Sequence, residues 1–328
     1  MRARALWFVE PRHVEIRPVD VEREGDAMLV RSLVSGISAG TELLAYRGAI
    51  DPSTPLDEAL GAFAGTFAFP FRYGYAAVGT VDSGGPLEPG SRVFAFHPHQ
   101  DVFAVRPEDA ISVEGVEPRT ATLLPLVETA LQVCLDAEAR PGDVAAVTGL
   151  GVVGTLTALL MQRSAVAVIG VEPREDRRKL AAGLGLAVVR PEEMQETILE
   201  RSEGAGADLV VEASGAGEAL AAGLGVLRRE GTAVVASWYG SRDVALPLGA
   251  AFHRRRLTIR SSQVSTIPAR LSASWDRRRR LRAARDLLSD LPLEALVTRT
   301  FAFEAADDAF AALDRGEPGL LHAALAYR

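Results

Sequence analysis

The sequence predicts an α/β chain of two domains, one mostly antiparallel β and one a parallel sheet covered by helices on both faces. Three observations lead there. A length of 328 residues exceeds what one hydrophobic core usually serves. Short strand-like runs punctuated by turns fill the chain to about residue 118. Beyond them, apolar runs of strand length alternate with helix-length segments, the pattern of successive βαβ units. The balance of 48% apolar and 24% charged residues matches ordinary globular domains, so neither domain needs a membrane or disorder to explain it.

In the first part the strand-like runs are HVEIRPV, AMLVRSLV, YAAVGTV, SRVFAF and DVFAV, separated by EREGD, SGGPLEPG and HPHQ. The stretch DPSTPLDEALGAFAGT reads as a surface excursion. Its apolar residues Leu56, Leu60 and Phe63, with Phe67 and Phe69 beyond, suggest a bulky or apolar substrate. In the middle, VAAVTG precedes the helix VGTLTALLMQR, and AVAVIGVEP precedes EDRRKLAAGLG. DLVVEASG precedes EALAAGLGVLRR, and TAVVASW follows. Nearly continuous Val/Ala/Ile strands suit a sheet buried on both faces. LTIRSSQVS then reads as a strand, with Thr258 to Ser262 returning to the first domain. Trp275 to Leu288 and FAFEAADDAFAALDRG read as helices, and LHAALAYR as a closing strand. These last pieces are too few for a core of their own, so the first domain is expected to be discontinuous.

Charge and cysteine usage narrow the partners. A net charge of −7 gives no electrostatic reason to bind nucleic acid or an anionic membrane. The basic cluster DRRRRLRAARDLL sets Leu281, Ala284 and Leu288 at helical spacing and reads as a solvated helix face. One cysteine, Cys134 in an apolar helical context, excludes an internal disulfide and a multi-cysteine zinc site. No apolar run approaches the roughly 20 residues of a membrane span. Arg, Glu, Pro and His interrupt the N-terminal stretch too early for a secretory signal, so the expectation is a cytoplasmic protein.

The most informative string is Gly149-Leu150-Gly151-Val152-Val153-Gly154, a G-x-G-x-x-G between an apolar strand and an apolar helix. Gly149 permits the tight turn, Gly151 leaves bare backbone for a pyrophosphate, and Gly154 lets the helix pack close to the sheet. The helix N-terminus offers N–H groups to the phosphates. Glu172 ends the next strand, where a carboxylate accepts hydrogen bonds from the adenosine ribose and repels a 2′-phosphate. Arg174 and Arg177 stand nearby and would pair with such a phosphate. NAD is therefore expected, with NADP open. The domain around this motif is expected to be a Rossmann domain with a doubly wound parallel sheet.

The order of SGISAGTE, then GLGVVG, then VEP, then a returning C-terminal segment resembles the medium-chain dehydrogenase/reductase superfamily across nearly the whole chain. SGISAGTE resembles more narrowly a zinc-lacking branch that includes bacteriochlorophyllide dehydrogenase. The resemblance implies a GroES-like catalytic domain from 1–122 and 261–328, interrupted by the Rossmann domain from 123–260. It also implies a homodimer, and a small-molecule substrate bound in the cleft between domains.

The same resemblance locates the zinc ligands of the metal-dependent relatives, and this chain lacks them. Ser38 or Ala39 stands where the first ligand, a cysteine, belongs. The strand beginning Gly74-Tyr75-Ala76-Ala77-Val78-Gly79 puts Tyr75 and Ala76 where His-Glu belongs, and LLPLVETA supplies only Glu128 near the third position. His97-Pro98-His99 would face one side of a strand and chelate a metal, but the proline and following Gln-Asp suggest a turn with no third ligand. No bound zinc is expected. Without it, a hydrogen-bond donor must polarise the substrate. Thr41 matches the family's relay hydroxyl, and Tyr75 the vacated ligand position; these lead as catalytic candidates. Their alternatives are a turn residue and a packed strand tyrosine. Glu42 matches the acid beside the relay and braces the turn. His97 is a candidate relay end, and Glu128 a candidate acid or base whose apolar surroundings would raise its pKa. On the cofactor side, Ser214 and Gly215 close a further βα turn, and Ala236, Ser237 and Trp238 fall at the nicotinamide contact. Arg260 has at most a pocket role. The expected reaction is hydride transfer between nicotinamide and an alcohol/carbonyl pair. The alternatives are a quinone or enoyl reductase and an inactive nucleotide-binding relative.

Overall fold

Along Met28–Ile37 alternate side chains, from Met28 through Val34, are buried while Arg31 and Leu33 face out, the period of a strand with one covered face. The computed structural model, which describes residues 1–57 and 63–328, builds a seven-stranded sheet around this strand. Its order is Val297–Ala302, His322–Ala326, Met28–Ile37, Ala77–Ser83, Arg92–Ala95 and Ile111–Ser112, with Val102–Val105 also paired to Met28–Ile37. All pairs are antiparallel except that of Val297–Ala302 with His322–Ala326. A hairpin of Arg2–Glu10 and His13–Asp20 completes the β elements of this first unit, Met1–Pro125 with Arg285–Arg328.

The second unit, Leu126–Ala284, holds a six-stranded sheet that is parallel throughout. Its order is Ala187–Val189, Ala167–Val171, Val144–Thr148, Ala207–Glu212, Leu227–Val235 and Thr258–Ser261. Every residue of Val144–Thr148 is buried, as a central parallel strand requires. The order runs outward in both directions from this strand, so its carboxyl end is a topological switch point, where doubly wound sheets bind ligands.

Four features differ from the sequence reading. Thr258–Ser261 does not return to the first unit; it pairs parallel to Leu227–Val235 as the edge strand. The second crossing between units lies at Arg285 rather than at residue 261, because the helix Leu124–Ala137 anchors the segment before it. On that helix Glu128, Gln132 and Asp136 recur at i, i+4 and i+8, one face. Ser262 Oγ donates to Asp136 Oδ2 at 2.7 Å, and Arg260 donates to the Asp136 carbonyl at 2.7 Å, which removes Arg260 from any pocket role. The basic cluster is not wholly solvated: in the helix Arg277–Leu287, Arg280 is 1% exposed and donates through Nε to Glu128 Oε1 at 2.9 Å and also to Gln132. Finally, Leu56, Phe63 and Phe67 are not surface residues. They are buried in the first unit's core with Phe8, Phe71 and Tyr73, and Phe69 packs against them. A substrate argument from their exposure fails; Leu60 lies outside the described residues.

Among the described residues no helix is long and apolar enough to cross a membrane. Cys134 is half-buried with its Sγ 3.9 Å from the Thr157 carbonyl, and burial pushes its thiol up to about 12, leaving it protonated and inert.

Breaking a buried ion pair from one side leaves the other charge stranded, at roughly 3–5 kcal/mol. Arg280→Ala is therefore expected to lower the urea midpoint of the second unit markedly. The double change Arg280→Met with Glu128→Leu should recover most of it. An unshifted midpoint in the single variant would show that the pair does not hold this segment.

Candidate functional site: a glycine cradle and a buried Glu–His–Ser–Tyr chain

In the second unit each glycine of the cradle has a separate reason. Gly149 ends its strand at φ +85°, and a Cβ there would lie 2.5 Å from Ser214 Cα. A Cβ on Gly154 would lie 1.9 Å from the Gly149 carbonyl oxygen, so the helix Val152–Arg163 reaches its place only with glycine there. Gly151 is different. Its φ is −67°, and a Cβ would meet nothing within 4 Å. The fold tolerates a side chain at 151; a ligand approaching bare backbone does not. The first-turn N–H groups have no acceptor within the helix, and the dipole favours an anion there. Leu150 and Val152 bury their side chains, so backbone is what they and the half-buried Val153 offer.

Glu172 is buried at the end of Ala167–Val171. Its Oε2 accepts the Leu150 N–H at 2.9 Å and its Oε1 the Arg174 N–H at 3.0 Å. The carboxylate thus braces the cradle from the position expected to meet a ribose. Arg177 lies 3.8 Å from Glu172 Oε2, while the Arg174 guanidinium pairs with Asp176 at 2.7 Å. In the next turn Glu212, also buried, accepts the N–H and O–H of Ser214, both at 2.6 Å, and the Gly215 N–H at 2.9 Å. Its Oε2 accepts the Tyr239 hydroxyl at 2.7 Å. The Gly215 N–H also reaches Ser237 Oγ at 2.9 Å, and the Ala236 N–H the Glu212 carbonyl at 2.8 Å. Ser214, Gly215, Ala236 and Ser237 are therefore one hydrogen-bonded group beside the cradle. Trp238, next along, is 43% exposed.

In the first unit Thr41 opens a short helix, Thr41–Tyr46, behind Gly40. Glu42 is buried: Oε1 accepts the Ser38 N–H at 2.8 Å, and Oε2 accepts from His99 Nε2 at 2.8 Å. Tyr75 sits just before the strand Ala77–Ser83. The Ser38 and Thr41 side chains, near its phenol, oppose part of the shift that burial imposes on it. Burial first, and the Glu42 charge second, push it well above the usual tyrosine range.

The other two candidates lie elsewhere. His97 stacks on Phe103 at 4.3 Å and donates Nδ1–H to the Pro98 carbonyl at 2.9 Å; burial lowers it to about 4. Among the described residues no hydrogen bond links it to Glu42 or Tyr75. Its neighbour His99 is the residue the sequence reading missed. The segment 96–99 is irregular rather than a strand, so the two rings part. Glu128 is buried and raised by desolvation, as expected, but Arg280 occupies it in the second unit. Ser38, Ala39, Tyr75 and Ala76 bring neither thiolate nor imidazole. Among the described residues no three His, Cys, Asp or Glu side chains gather to hold a metal ion.

His322 marks a further constraint on the same stretch. It is buried, its Nε2 lies 3.1 Å from Thr122 Oγ1, and its Nδ1 has no partner. A Cβ on Gly36 would fall 2.9 Å from that Nε2. Burial lowers His322 to about 4.

Residues 149–279 match the family model of zinc-binding dehydrogenases. A sorbitol dehydrogenase of Halalkalibacterium halodurans is 25% identical over 210 residues, 62% of this chain and 58% of that protein. The chain spans 31% to 64% of the length of the curated relatives it matches. Among solved structures, L-idonate 5-dehydrogenase from Escherichia coli aligns with a TM-score of 0.82 at 14% identity, over 99% of this chain and 98% of that one. An Escherichia coli alcohol dehydrogenase complexed with NADH aligns at 0.79 and 17% identity, over 99% of each. At such identities the shared property is the fold.

Gly151→Ala is expected to leave the melting temperature nearly unchanged and to weaken nucleotide binding at least tenfold, read by calorimetry. Equal affinity would mean that no ligand approaches this backbone. Stability should also fall with acid. His97 and His322 bind protons in the unfolded chain near pH 6.5 but in the folded one only near pH 4. The unfolded state therefore holds more protons between those values, and stability is lost as pH drops through the window. His322→Asn should flatten that loss; an unchanged slope in urea melts from pH 6.5 to 4 would exclude His322 as a contributor.

Proposed function

We propose that this chain is a member of the medium-chain dehydrogenase/reductase superfamily and a nicotinamide-dependent oxidoreductase acting on an alcohol/carbonyl pair of the polyol class. The observation that carries the reading is Gly151, open where no neighbour requires it, between two glycines that the fold does require. Glu172 at the ribose position favours NAD over NADP. The names of the relatives, sorbitol dehydrogenase and L-idonate 5-dehydrogenase, support the substrate class.

When bound, the nucleotide supplies or accepts the hydride. The chain's own part is to orient it and to manage charge on the substrate oxygen. Tyr75 carries the second task. A phenol held far above its usual range stays protonated at any ordinary pH, so it donates a hydrogen bond to a carbonyl oxygen rather than removing a proton. Thr41 and Ser38 orient that phenol. The reading is zinc-independent: an amide-bonded Ser38 turn, an alanine and a phenol do not suit Zn²⁺. The edge strand Thr258–Ser261 is the face on which we place a homodimer contact, and the cytoplasm is the compartment that the lone cysteine suits.

Oxidation of NADH against a panel of ketoses, aldehydes, quinones and enones tests the reaction. Turnover on ketoses is expected, and turnover confined to quinones or enones would move the protein to C=C chemistry. Tyr75→Phe should lower kcat roughly 100-fold with the nucleotide Kd unchanged, the scale of losing one preorganised donor. Elemental analysis should find far less than one zinc per chain. Stoichiometric zinc whose chelation abolishes turnover would sink the metal-free reading.

A further inference from the structure

His99 is wholly buried, and both ring nitrogens are occupied. Nε2 lies 2.8 Å from Glu42 Oε2, an acceptor, so Nε2 carries a proton. Nδ1 lies 2.7 Å from Ser35 Oγ, and that oxygen lies 2.8 Å from the Tyr327 hydroxyl. With Nδ1 accepting, the chain has one direction. Tyr327 donates to Ser35, Ser35 donates to Nδ1, and Nε2–H donates to Glu42, which also receives the Ser38 N–H. Ser35 lies in the strand Met28–Ile37, His99 follows Arg92–Ala95, and Tyr327 follows His322–Ala326. One buried chain of hydrogen bonds thus ties three separate stretches to the turn bearing Ser38, Thr41 and Glu42.

The backbone has been cleared for this ring. Gly74, immediately before Tyr75, has φ +108°, and a Cβ there would lie 2.6 Å from His99 Cδ2 and 2.7 Å from Nε2. Any other residue at 74 would evict the imidazole from Glu42. The residue that presents Tyr75 and the residue that admits His99 are chain neighbours.

We propose that His99 is a positioning residue: through Nε2–H it fixes the Glu42 carboxylate, and through Glu42 and the Ser38 N–H it fixes the turn whose Ser38 and Thr41 side chains lie near the Tyr75 phenol. It touches no substrate. The inference rests on Tyr75 being the donor of the proposed reaction. It assigns a task to a histidine that the relay and metal readings of this segment left without one.

The full-length protein tests it in two ways. Selective ¹⁵N labelling of its five histidines should show His99 protonated at Nε2, with the signal perturbed in Ser35→Ala. An Nδ1–H tautomer overturns the proposal whether or not a substrate has been found, so this arm stands apart from the functional reading. On any substrate turned over, His99→Ala should lower kcat roughly 10- to 100-fold, the scale of a displaced catalytic group, with the nucleotide Kd unchanged. His99→Gln, whose amide both donates and accepts, should stay within about threefold of the parent. If Gln fails as badly as Ala in a folded protein, or Ala leaves kcat intact, the positioning role is wrong. Absence of turnover on the whole panel, with the expected tautomer present, would instead count against the reaction.

Discussion

A carboxylate taken out of water must find donors or give up its charge, and this requirement organises every turn of the candidate site. Glu42, Glu128, Glu172 and Glu212 are the glutamates buried among the described residues. Three of them solve the problem alike: the side chain accepts backbone N–H groups of a turn close in sequence or space. Glu42 takes Ser38, Glu172 takes Leu150 and Arg174, and Glu212 takes Ser214 and Gly215. The turn cannot change conformation without stranding a charge, so burial converts a flexible glycine-bearing loop into a fixed one. Glu128, on a helix with its own backbone bonds already made, has no such turn to use and recruits Arg280 instead.

The strand–glycine turn–helix geometry of the cradle was legible because its physics is local. Strand, glycines, helix and acidic strand end lie within GLGVVG and the next β-strand, and each residue's task follows from its neighbours in sequence. The parallel sheet was legible for a related reason, since strands buried on both faces show as apolar runs. His99 was not legible. Its partner Glu42 is 57 positions away, and a histidine two residues from another invites a metal reading instead. Nor does RRRR declare which guanidinium turns inward. Arg280 does so because it shares a helix face with Ala284, against Glu128, 152 positions earlier. The excursion around Leu56 misled in the opposite sense. Its Pro, Asp and Ser marked a loop correctly, yet its apolar side chains serve the core beneath it.

Glycine offers the sharper lesson about what a structure adds. In sequence the three cradle glycines are equivalent matches to a pattern. In space two of them are demanded by the protein itself, Gly149 by Ser214 and its left-handed φ, and Gly154 by the Gly149 carbonyl. Open space alone does not identify a ligand position, because Gly183 and Gly225, in helices, also meet nothing. Those positions merely carry the modest helix penalty of glycine. Gly151 differs by its setting. It caps the N-terminus of a twelve-residue helix at the sheet's switch point, and the backbone on either side is immobilised by contacts that admit no side chain. A residue that the fold leaves free, held rigidly where the field favours an anion, is one that packing does not account for.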